Sequence, residues 1–157
     1  GGHLDKFIGD GVMALFGVDG RPEIGARQSL EAARLMSERL DDLNRSLEAE
    51  LDEPLRIGIG IHAGPAIIGE MGYGAATTLT AIGDAVNTAS RLEAMTKEHR
   101  AQLVVSQTVA DHAEVDLSAF PSHQLAVRGR TGSIDARVII DAKDLPRDIL
   151  HETKKTA

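Results

Sequence analysis

The chain has 157 residues, enough for one domain with a buried core, and its 42% apolar and 26% charged residues are ordinary for a soluble globular fold. Only 3% of residues are aromatic and the net charge is −7, so neither a base-stacking platform nor a nucleic-acid backbone is an expected partner. There is no cysteine for disulfides or thiolate metal sites, no apolar run approaches a membrane span, and residues 1–20 lack the signal-peptide pattern.

Gly1-Gly2-His3 leads almost directly into residues 4–17, LDKFIGDGVMALFG, which read as two strands folded back through Gly9-Asp10-Gly11. Phe7 and Ile8 enter the turn, and Val12, Ala14 and Phe16 alternate out of it as the half-buried face. Gly9 and Gly11 supply backbone freedom, and Asp-Gly is a strong hairpin signal. Asp10 then stands at the tip of a ribbon, where a carboxylate can reach a hard cation. Lys6 shares its face if the strand runs straight. Turn chemistry alone also accounts for both residues.

Pro22 opens a helix over about residues 23–51, with Leu30, Ala33, Met36, Leu40, Leu43, Leu47 and Leu51 recurring every three or four positions. Its opposite face carries Glu31, Arg34, Glu38, Asp41, Asp42 and Arg45, and Glu53-Pro54 closes it. Residues 55–63 alternate as a strand, Ile57, Ile59 and Ile61 on one face, Gly58, Gly60 and His62 on the other. Glycines on one face admit another backbone or a ligand. The glycine spacing is not a dinucleotide fingerprint, and no P-loop motif occurs. His62 reads as a packed or hydrogen-bonded strand residue, since no second His lies at metal-ligand spacing.

A short return strand at 66–68 and a β-prone stretch at 77–81 precede a helix over about 85–99, with Asp84 as its N-cap. Asn87 and Arg91, four apart, share one face of that helix. A strand at 102–106, a short helix at 107–113 and strands at 117–127 and 133–140 follow. Between the last two, Arg128-Gly129-Arg130-Thr131-Gly132 reads as a hairpin turn with two guanidiniums, either plain surface or a bidentate phosphate clamp. From Asp141 the chain turns polar and reads as frayed.

Three stretches together carry a resemblance: KFIGDG at 6–11, RIGIGIHAG at 56–64, and AIGDAVNTASRLE at 81–93. They closely resemble the class III adenylate and guanylate cyclases, in that family's order, from residue 1 to about 141. The resemblance implies an α/β fold with a ferredoxin-like antiparallel sheet and helices packed on it. It divides the chain into a catalytic domain, 1–141, and a tail, 142–157. The family's first strand and helix, with the first metal-binding Asp, have no counterpart here, so a fragment inactive on its own is expected.

The implied reaction is attack of the ribose 3′-hydroxyl of a nucleoside triphosphate on its α-phosphorus, with pyrophosphate leaving. The resemblance assigns Asp10 as the second carboxylate for two ions, Mg²⁺ or Mn²⁺. It makes Asn87 the ribose-orienting residue and Arg91 the stabiliser of charge on the transferring phosphate. Arg128 stands where the family usually has a lysine for the terminal phosphates. Lys6 and Thr80 fall on the two base-reading positions, and a cationic donor beside a threonine acceptor suits adenine rather than guanine. ATP is therefore the expected substrate. A homodimer with sites shared between protomers, a role in intracellular signalling and a cytoplasmic catalytic domain are expected as well. Two other readings remain open: a cyclase-homology module that dimerises or binds nucleotide without turnover, and an unrelated ferredoxin-like binding domain.

Overall fold

The computed structural model describes residues 1–73, 76–126, 133–147 and 149. Strands β1 (His3–Ile8) and β2 (Gly11–Leu15) pair antiparallel as a ribbon of their own. Helix α1 (Pro22–Ser46) and strand β3 (Ile59–Ile61) follow, then a second antiparallel ribbon, β4 (Ile67–Tyr73) with β5 (Ala76–Ile82). Helix α2 (Asp84–His99), β6 (Leu103–Ser106), helix α3 (Gln107–Ala113), β7 (Ser122–Ala126) and β8 (Ser133–Ile139) complete the main elements.

Strands β3, β6, β8 and β7 lie in that order in one sheet, with β3–β6 parallel and the other pairs antiparallel. The chain between β3 and β6 holds a ribbon and a helix, the long crossover that parallel neighbours require. The expected α/β class, antiparallel pairing with helices packed on sheet, is what the chain adopts. Among the described residues its strands nevertheless divide between one four-stranded sheet and two separate ribbons.

Strand β6 is buried at every position. Leu103 and Val105 join Ala26, Leu30 and Ala33 of α1 and Val109, Ala110 and Ala113 of α3. Val104 joins Leu92 of α2 with Ala136 and Val138 of β8. The sheet is thus covered by α1 and α3 on one face and by α2 on the other. A strand buried on both faces reads as an unbroken apolar run rather than an alternation. Full burial of a side chain such as Leu30 or Leu92 contributes about 1.5–3 kcal/mol.

Several expectations are corrected here. Helix α1 ends at Ser46, not near residue 51. Its buried stripe is Ala26, Leu30, Ala33 and Ser37, while Met36 and Leu43 stay largely exposed and line a shallow apolar depression with Leu35, Leu40 and Ile57. The stripe follows the helix's partners: Arg27 donates to the Ala113 carbonyl of α3, and Ser37 donates to Asp141. In β2 the half-buried residues are Met13 and Leu15, with Val12 and Ala14 exposed. Met13 is the cross-strand partner of Lys6 and so lies on the face that Lys6 turns toward β5.

The described residues beyond Asp141 are not frayed. A 3-10 turn, Ala142–Asp144, carries Ala142 into the core, and Leu145 and Ile149 join it there. Burial pushes the Asp141 carboxyl up, but hydrogen bonds from the Lys143 backbone N–H and the Ser37 hydroxyl outweigh it and hold it below its ordinary value. Spaced apolar anchors do this work, and an average over the segment's composition conceals them. Among the described residues, no helix is long and apolar enough to cross a membrane.

Candidate active site

The two ribbons meet where β1 lies against β5. There the Lys6 ammonium donates to Thr80 Oγ1 at 2.7 Å, across 74 positions of sequence. Thr80 is buried and donates its own hydroxyl hydrogen to Asp5 Oδ2 at 2.8 Å. Lys6 Nζ stands 3.6 Å from that same oxygen. Plain alternation would turn residues 5 and 6 to opposite faces of the strand. A register shift between Leu4 and Lys6 breaks the alternation, the way a β-bulge re-aims a side chain, and brings both to Thr80. The Asp5 side chain is fully buried, whereas that of Lys6 is 45% exposed and reaches outward. Thr80 pairs across its ribbon with Gly69, where an added Cβ would meet nothing within 4 Å.

Asp10 stands at the tip of the first ribbon. The turn is the two-residue pair Gly9-Asp10 between the paired Ile8 and Gly11. Gly9 adopts φ +62°, the left-handed value that glycine takes at the first central position of a type II′ hairpin. The tip is therefore Gly-Asp rather than Asp-Gly, and Gly11 already belongs to β2. Asp10 is exposed and offers a hard oxygen donor suited to Mg²⁺ or Mn²⁺. Among the described residues there is no group of three or more His, Asp or Glu placed to hold an ion. Asp10 fits as one ligand, and the described residues do not complete a two-ion set around it.

Helix α2 starts at Asp84, with Gly83 in the cap position and no side-chain cap, so the expected N-cap lies one residue inside the helix. Thr88, Leu92 and Thr96 form its buried side. Asn87 and Arg91 are exposed, one turn apart, and neither has a side-chain partner among the described residues. The strand glycines seat this helix. A Cβ on Gly60 would lie 2.3 Å from Ala89 O and from Glu93 N, and one on Gly58 would lie 2.2 Å from Thr96 Oγ1. The close approach foreseen for the glycine face is made by α2 itself, and it fixes the height of Asn87 and Arg91 above the sheet.

The imidazole of His62 shares a hydrogen bond with Ser106 Oγ through Nδ1 at 2.9 Å, in keeping with a strand histidine tied into the fold. Burial pushes its pKa down from the ordinary 6.5, so the ring is neutral near pH 7. Arg128 lies outside the described residues. Lys6 and Thr80 are joined, Asn87 and Arg91 share a helix face, and Asp10 stands apart at the hairpin tip. No hydrogen bond or ion pair links these three groups among the described residues. Asp5 is the participant that sequence reasoning passes over. Its one visible signal is an acid directly preceding Lys6 in a strand, and alternation argues against reading the two as a pair.

Residues 6–139 match the family model for the adenylate and guanylate cyclase catalytic domain. An adenylate cyclase of Anabaena cylindrica is 38% identical over 113 residues, which are 69% of this chain and 22% of that relative. The chain thus spans about a fifth of that relative's length. Among solved structures, the adenylyl cyclase CyaB from P. aeruginosa superposes with a TM-score of 0.70 at 25% identity, covering 92% of this chain and 75% of that one. The guanylyl cyclase Cya2 gives a TM-score of 0.73 at 23% identity, covering 88% and 69%, a likeness of fold alone. The match over residues 6–139, most of the chain, and the shared α/β architecture establish that this chain belongs to the class III adenylate and guanylate cyclase catalytic-domain family.

Proposed function

We propose that the chain is the catalytic domain of an adenylate cyclase, converting ATP to 3′,5′-cyclic AMP and pyrophosphate in a signalling protein. The observation that carries the choice of ATP is the Lys6–Thr80 pair, a cationic donor hydrogen-bonded to a hydroxyl acceptor. Adenine presents an unprotonated N1 and an amino group on adjacent positions, so Lys6 would donate to the first and Thr80 accept from the second. Guanine presents a protonated N1 and a carbonyl oxygen there, the reverse pattern. A base held this way brings the ribose toward the exposed face of α2.

On that face Asn87 would hydrogen-bond the ribose and hold its 3′-oxygen in line with the α-phosphorus. The new bond joins O3′ to that phosphorus, the bond to the β-phosphate's bridging oxygen breaks, and the 3′-hydroxyl proton is released to water. Arg91 would meet the negative charge that grows on the transferring phosphate, and Arg128 the charge on the departing pyrophosphate. Divalent ions supply charge neutralisation to such reactions, and Asp10 would provide one of their ligands. A shared, two-fold arrangement would place Asp10 of one protomer with Asn87 and Arg91 of the other. Exposed apolar side chains on both ribbons support such pairing, Phe7 at 76% exposure and Ile67 at 77% among them.

Among the described residues no group of three or more His, Asp or Glu is placed to hold an ion, and this favours one second reading, a module that binds nucleotide and dimerises without turnover. Product analysis of the full chain with ATP or GTP and Mg²⁺ or Mn²⁺ separates the two. Cyclic AMP should form with kcat/KM about 10²-fold or more above that for GTP, as expected of a site whose polar groups are matched to one base. Preferential cyclic GMP formation would refute the choice of base. Nucleotide binding without any cyclic product would identify the second reading.

A further inference from the structure

The hydroxyl of Thr80 is fully specified by its neighbours. A threonine hydroxyl has one hydrogen and two lone pairs. The hydrogen is directed to Asp5 Oδ2 at 2.8 Å, and one lone pair takes a hydrogen bond from Lys6 at 2.7 Å. What remains for a ligand is the second lone pair. Thr80 can therefore accept from a base and cannot donate to it. We propose that Asp5 is a positioning residue that locks Thr80 as an obligate acceptor, and that this lock sets the preference for a purine bearing a 6-amino group over one bearing a 6-carbonyl.

The inference rests on the adenylate cyclase reading of the Lys6–Thr80 pair and adds the residue that gives the pair its polarity. Without Asp5 the hydroxyl hydrogen is free to rotate, and a rotated Thr80 donates to a carbonyl oxygen as well as it accepts from an amine. With Asp5 in place, a 6-carbonyl meets a lone pair, acceptor against acceptor. The same carboxylate faces the Lys6 ammonium at 3.6 Å and anchors it while its half-exposed stem leaves the remaining N–H groups for the base.

A purely structural role explains Asp5 poorly. Its side chain is fully buried, and Oδ1 has no hydrogen-bond partner among the described residues. Burying a carboxylate with one oxygen unsatisfied costs free energy that an apolar side chain at the same place would not incur. The register shift that turns Asp5 inward also interrupts the β1–β2 ladder. Both features oppose stability, and the register shift is what aims the acid at Thr80.

The test uses the full chain and reads the ratio of ATP to GTP affinity by isothermal titration, alongside the ratio of kcat/KM. Asp5→Asn preserves packing, Asp5→Ala removes the acceptor outright, and Thr80→Val removes the hydroxyl at constant shape. The wild type should prefer ATP. Asp5→Ala should lower the ATP:GTP ratio about tenfold, the worth of one hydrogen bond, with GTP gaining as ATP loses, whereas Asp5→Asn, whose amide oxygen can still accept from Thr80, should lower it less. Because Asp5 acts through Thr80, adding Asp5→Ala to Thr80→Val should leave the ratio where Thr80→Val alone puts it. If the Asp5 variants weaken both nucleotides by the same factor, the proposal is overturned and the adenylate reading survives. A further drop in the double variant would overturn it too, since Asp5 would then act by another route. A wild type that prefers GTP, or binds neither nucleotide, overturns the reading beneath it.

Discussion

Arg91 separates positioning from chemistry most sharply. It lies exposed on α2 with no partner among the described residues, so its removal leaves no buried group unsatisfied and should not unfold the chain. Its proposed partner is charge that exists only in the transition state. Arg91→Ala should therefore lower kcat about 10²-fold or more while KM moves little. Steady-state kinetics on the full chain check this, and a change confined to KM would make Arg91 an ordinary ground-state phosphate ligand. The candidate residues were legible in the sequence to different depths. Lys6 and Thr80 stand 74 positions apart, and only the family resemblance joins them before the fold does. Asp5 was not legible, because its orientation depends on a register shift that nothing in the alternation of residues 4–16 announces.

Helices and strands were easier to read than the faces they present. Pro22 at the start of α1, the strand at 103–106 and the helix Gln107–Ala113 lie close to where propensity and pattern place them. The buried face of β2 and the buried stripe of α1 differ from those that periodicity predicts, because partner elements choose among apolar faces that a periodic pattern leaves equivalent. The glycine face of the strand at 55–63 predicts a point of close approach, and α2 fills it. Gly60→Ala tests how rigidly that contact positions the site. The new methyl would meet backbone atoms of α2 at 2.3 Å, which no rotamer change relieves. The variant should lose about 1–3 kcal/mol of stability, measured by urea unfolding, and lose turnover even where it stays folded. An unchanged midpoint with full activity would show that α2 is not seated on Gly60.

For the molecule as a whole, length and composition set the class, and the exposed apolar side chains of the two ribbons are what a single copy leaves uncovered. Lys6 with Thr80, Asn87 with Arg91, and Asp10 form three groups that no bond joins within one chain among the described residues. A site assembled across a two-fold axis would unite Asp10 of one protomer with Arg91 of the other. Asp10→Ala and Arg91→Ala homodimers should then each be inactive at both sites. In a mixed dimer one site collects both defects and the other none. With random mixing half of the dimers are mixed and each keeps one of two sites, so about a quarter of wild-type activity should return. The decisive measurement is cyclic AMP production while one inactive full-length variant is titrated against the other. Recovery toward about a quarter at equal amounts is the predicted result, and no recovery at any ratio, with mixed dimers shown to form, would contradict a shared adenylate cyclase site.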